Sequence, residues 1–128
     1  MKVLIVHPRF TVYGGAELVI VKLTEYLKSK GHEVGILTSS TSCWEAYGDL
    51  GAYSDFHWVK NRLGGIKGEI VALANGVRKH AKDYDVINIH NFPATFSIPF
   101  TGNKPVVWMC NEPELYLYAQ TKKYLKPI

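Results

Sequence analysis

Three observations predict a doubly wound, mainly parallel α/β sheet in this chain. It opens on an uninterrupted apolar run, Val3-Leu4-Ile5-Val6, of the kind found in a central strand covered on both faces. A helix-length stretch with apolar residues at helical spacing follows, and a second β-rich run, EVGILT, returns directly after it. The same alternation continues down the chain, and parallel strands need covered crossovers that are nearly always right-handed. At 128 residues with 47% apolar content, residues 1–128 are expected to form a single domain with its own core.

The elements follow in order. Lys2 to His7 reads as the first strand. From Ala16 to Lys30 a helix is predicted, because Ala16, Val19, Ile20, Leu23 and Leu27 share one face while Glu17, Lys22, Thr24, Glu25, Lys28 and Ser29 supply polarity elsewhere. Gly31 can take the left-handed conformation that ends such a helix, and Glu33 to Thr38 returns as the second strand. Ser39 to Tyr53 is rich in Ser, Thr and Gly and reads as a loop with one helical turn. Asp55 to Val59 is a short third strand, and Ile66, Ile70, Leu73, Ala74, Val77 and Ala81 mark a second amphipathic helix with a basic outer face. DVINIH, Asp85 to His90, and PVVWMC, Pro105 to Cys110, are the fourth and fifth strands. A last helical segment is expected over Glu114 to Tyr124, with a domain boundary near or beyond the basic tail from Lys122 to Ile128.

Composition narrows the function. The opening apolar run is too short for a signal peptide or a membrane span. Cys43 and Cys110 stand far apart, in neither metal-ligand spacing nor a disulfide framework, so the expected setting is a reducing cytoplasm and no metal is expected. The formal charge of +4 suits phosphates or an anionic membrane surface without specifying either. Positive residues gather at Lys60, Arg62, Lys67, Arg78, Lys79 and Lys82, and peripheral membrane contact through the second helix is one expectation from them; a solvated face is the commoner reason for such a run. No RNA-recognition motif, helix-turn-helix or stacking platform accompanies these charges, which ranks nucleic acid well below the other partners.

In a doubly wound sheet, ligands gather at the carboxyl ends of the strands. Three segments lie there. In the first, Gly14 and Gly15 precede a helix whose exposed amides favour an anionic group, although an ordinary turn with Glu17 complementing the helix dipole needs the same residues. It lacks GxGxxG, so a dinucleotide cofactor is not expected. In the same loop, Arg9 is a candidate for a phosphate. The second segment ends on His90, where a neutral imidazole can contact a ligand hydroxyl; a buried histidine held by one hydrogen bond is the plainer alternative. The third holds Asn111 and Glu112, able to bond ligand hydroxyls but equally at home in a turn before Pro113.

GGAELVIVKLTEYLKSKGHEVGILT resembles the opening of family 4 glycosyltransferases, in which GGxE starts a long helix and GHEV leads into the second strand. DVINIH is similar to the family's DVIHxH strand end, with Asn88 in place of the first histidine and His90 at the second. The segment from Val107 to Pro113 is similar to a YCHxP-like region, from which Trp108 and Asn111 depart. The resemblance implies a Rossmann-like, acceptor-side half of a GT-B architecture, with a C-terminal donor-binding domain lying after residue 128. It further implies transfer from a nucleotide-sugar donor, as substrate and with no cofactor, to a hydroxyl acceptor on a glycan or lipid, with retained anomeric configuration. In that scheme Gly14 and Gly15 neighbour the donor phosphates, His90 faces the transferring sugar as the catalytic candidate, and Arg9, Asn111 and Glu112 face the acceptor. The isolated chain is then expected to be inactive. Two rival functions are a non-enzymatic ligand-binding or regulatory module on the same sheet, and a small nucleotide-binding enzyme of flavodoxin-like topology, for which no Walker loop is present.

Overall fold

The computed structural model describes residues 1–11, 14–40 and 55–111. Five strands form a wholly parallel sheet in the order β3-β2-β1-β4-β5: β1 is Lys2–Val6, β2 Glu33–Thr38, β3 Asp55–Trp58, β4 Val86–His90 and β5 Val106–Met109. Helix α1, Gly15–Ser29, joins β1 to β2, and helix α2, Gly65–His80, returns the chain from β3 towards β4. The predicted α/β class, strand order of events and both helices are present, with ends shifted by a residue where strands run into turns. The segment between β4 and β5 contains a 3₁₀ stretch, Ala94–Phe100, that hydrophobic periodicity did not reveal. The loop from residue 41 to 54 and the expected helix over Glu114 to Tyr124 lie outside the described residues.

Strand alternation builds two cores. Leu4, Val6, Leu37, Ile87 and Ile89 point to the face covered by Leu73, Val77, Ala81 and Ala94, while Val3, Ile5, Val34 and Ile36 meet Ile20, Leu23 and Leu27 of α1 on the other. This is why β1 carries no polar residue between its ends. Helix α1 departs from the expected face: Val19 is 40% exposed, while Glu17 and Thr24 are buried. Thr24 satisfies its hydroxyl by donating to the Ile20 carbonyl, and Glu17 is drawn inward by a histidine described below. The helix ends as expected at Gly31, whose φ of 83° lets the amide of His32 reach back to the Leu27 carbonyl.

A close approach fixes one further glycine. A Cβ on Gly35 would collide with the Tyr84 hydroxyl, which already donates to Asp55 and meets Nε2 of His57. Gly35→Ala is therefore expected to destabilise the domain by about 1 to 3 kcal/mol, because the fully buried Tyr84 ring cannot move aside without breaking those bonds. Urea denaturation of the variant checks this, and an unchanged midpoint would show that the ring has room.

Candidate active site

The direction of winding reverses between β1 and β4: β2 and β3 lie to one side of β1, β4 and β5 to the other. A crevice opens at the carboxyl ends of the strands at such a reversal. In register, Val6 pairs with Ile89, so His7 and His90 leave their strands side by side. Alternation carries both to the α1 face, along with Ile5 and Asn88, because Val6 and Ile89 occupy the α2 face. A cleft of about 210 Å³ sits above them, lined by His7, Pro8, Arg9, Thr11, Glu17, Asn91 and Phe92.

Glu17 reaches this cleft from the first turn of α1. Gly14, at the N-cap, has extended backbone and no side chain with which to cap the helix. The Glu17 carboxylate accepts a hydrogen bond from Nε2 of His7 at 3.0 Å, in a setting where both side chains are nearly buried. Burial alone would raise the Glu17 carboxyl, but hydrogen bonds from His7 and from the backbone of Glu17 and Gly14 hold it below its ordinary value. The second ring nitrogen of His7, Nδ1, is buried without a hydrogen-bond partner among the described residues.

His90 stands one layer further in. Its ring is wholly buried, edge-on to His7 with centroids 6.4 Å apart. Nε2 donates to Oδ1 of Asn88 at 2.5 Å, and the Asn88 amide donates in turn to the Val107 carbonyl, which fixes which end of the amide accepts. That bond draws the ring back along its own strand, so His90 backs the cleft wall and does not line it. Its Nδ1 is then an acceptor, also buried without a partner among the described residues. Loss of hydration, with a smaller contribution from His7, depresses His90 to about 4. The ring is neutral at physiological pH.

A depressed histidine binds its proton more readily in the unfolded chain, so its linkage acts between the unfolded value of 6.5 and the folded value of about 4. Stability falls across that window as pH falls, by about 3 kcal/mol from this group, and levels off below it. Replacing His90 with Gln is expected to remove that part of the slope in melts taken from pH 7 to pH 4. An unchanged slope would mean that the ring is hydrated and not buried.

Arg9 follows β1 and is held from two sides. Its segment bridges Ser40 beyond β2, and its Nε lies 3.4 Å from Oε1 of Glu69 on α2, an ion pair too oblique to count as a hydrogen bond. Burial raises the Glu69 carboxyl, offset in part by Arg9 and Ser39. The Arg9 side chain remains half exposed at the cleft. Asn111 donates to Oδ1 of Asn91 at 2.8 Å, and Asn91, with a φ of 54°, turns the chain immediately after His90. Asn readily adopts this left-handed conformation. Thus Arg9, the start of α1, His90 and Asn111 come together at one edge; Glu112 lies outside the described residues.

His7, Glu17 and Glu69 were not singled out from sequence as site residues. A usable signal existed for His7, because it stands at the carboxyl end of β1 just as His90 stands at that of β4. None existed for Glu69, whose burial depends on where the loop after β1 carries Arg9.

Residues 13–128 match the model of Glycosyltransferase Family 4. The chain belongs to that family. Membership in this family supports glycosyl transfer in general and agrees with the Rossmann-like sheet expected of one GT-B half. No curated protein matches the sequence. Among solved structures, the fold is similar to the C-terminal domain of a hydrogenase from Pyrococcus furiosus, at 15% identity and a TM-score of 0.59, covering 84% of this chain and 89% of that one. At that identity the likeness concerns the fold alone. No helix among the described residues of this glycosyltransferase-family chain is long and apolar enough to cross a membrane.

Proposed function

We propose that this family 4 chain forms the acceptor-side wall of a site where a sugar passes from a nucleotide-activated donor to a hydroxyl acceptor. The observation that supports it is the convergence of the α1 N-terminus, Arg9 and the His7–Glu17 pair around one cleft, directly over His90. Gly14 and Gly15, at the positive end of the α1 dipole, neighbour the donor phosphates in this reading, with the Gly14 amide already donating to the Glu17 carboxylate. His7 stands at the cleft surface and faces the sugar in this reading, while neutral His90 behind it acts as a positioning residue. The half-exposed Arg9 guanidinium, kept in place by Glu69, faces a charged or polyhydroxyl acceptor together with Asn111, and Glu112 is a candidate for the same acceptor.

The described residues supply one wall of the cleft, and in this reading base and ribose recognition fall to a donor-binding half. A panel of nucleotide sugars offered to the chain alone, and to the chain with a candidate donor-binding domain, tests the reading. Turnover is expected only in the second case. Robust turnover by the purified chain alone would overturn the division of labour, and ligand binding without transfer in the complete pair would favour a regulatory module.

A further inference from the structure

The most unusual surface lies away from the cleft. From residue 56 to residue 82 the sequence carries six cations, Lys60, Arg62, Lys67, Arg78, Lys79 and Lys82, all of them exposed. The one acid in that stretch, Glu69, is buried and turned to Arg9. Among the same residues stand Trp58, Leu63 and Val71, large apolar side chains exposed by 58%, 74% and 45%. These are not scattered: Trp58, Lys60, Arg62, Leu63, Val71 and Lys79 line a single open groove of about 660 Å³ between the end of β3 and the outer side of α2.

We propose that this β3–α2 face docks peripherally on an anionic lipid bilayer. Cations gather at a negative headgroup layer, and exposed Trp and aliphatic side chains alongside them gain by entering the boundary between headgroups and acyl chains. Both halves of the pattern are needed to choose the occupant. A nucleic acid would use the cations but gains nothing from exposed Leu63 and Val71, and a solvated face would use neither apolar residue. The groove starts where β3 ends, at the same carboxyl edge of the sheet as the cleft, and α2 joins the two through Glu69 and Arg9. Docking on this face therefore brings the cleft's edge close to the headgroup layer.

Flotation of the 128-residue chain with vesicles of phosphatidylcholine, with and without phosphatidylglycerol, tests the assignment. The chain should float with the anionic vesicles, remain largely unbound with the neutral ones, and be released by salt. At roughly fivefold per cation near the surface, K60Q/R62Q/K79Q should weaken binding on the order of 100-fold. Leu63→Ser should weaken it about tenfold with an unchanged melting curve, since Leu63 is mostly in solvent. Absence of flotation, or flotation that neither variant alters, would overturn the proposal. So would retention of the chain by a single-stranded homopolymer RNA, lost in the triple variant, while vesicles leave it in solution.

Discussion

His7→Ala is expected to cost the domain about 3 kcal/mol, the largest stability loss of any single substitution considered. The reason is asymmetric: truncation removes a ring, and it also strands the Glu17 carboxylate, whose side chain is only 9% exposed, without the donor that now holds it at 3.0 Å. A charge left behind in that way carries most of the penalty. In the variant, burial acts on Glu17 opposed only by the backbone hydrogen bonds at Glu17 and Gly14, so its carboxyl rises from its lowered value. Relative to the wild type that rise costs stability at neutral pH, and the difference shrinks as the carboxyl is protonated on acidification. His7→Ala should therefore approach wild-type stability on acidification, and adding Glu17→Gln should recover part of the loss at pH 7. Urea denaturation of the two variants at pH 7 and pH 5 measures both effects. A loss below about 1 kcal/mol at pH 7 would mean that water already reaches the pair.

His90→Ala should lower turnover of the complete enzyme by about 100-fold, after correction for folded protein. Some stability will go as well, about 1 to 3 kcal/mol, because Asn88 Oδ1 loses its donor in a buried place. The two effects separate by measurement. Rates normalised to folded enzyme by thermal melts isolate the catalytic part, and a kcat loss with little change in donor KM would place His90 in the transition state's surroundings and not in donor binding. Unchanged normalised turnover would leave His90 a core group with no part in positioning His7.

Much of the fold was legible because local and global signals agree. The Val3 to Val6 run, the GHEV return and the DVINIH strand each read correctly, since residues buried on both faces leave a continuous apolar record. The face of α1 did not read correctly. Periodicity placed Val19 inside and Glu17 outside, and a polar partner reversed both, because one hydrogen bond from His7 outweighs a helical-wheel average. The site was legible in position and not in depth. Gly14, Gly15, Arg9, His90 and Asn111 were expected at one edge and lie there, yet the burial of His90 follows from Asn88, a residue read only as a departure from the family pattern.

Ligand-induced amide shifts in the isotopically labelled chain, titrated with nucleoside diphosphate sugars of different bases, probe the central claim most directly. Even weak binding reports its location residue by residue. Shifts are expected to concentrate at Arg9, at Gly14 to Leu18 around the first turn of α1, and at His90 and Asn91, with Arg9→Gln reducing them. Shifts confined to the basic groove around Lys60, Arg62 and Lys79, with the α1 N-terminus silent, would contradict it.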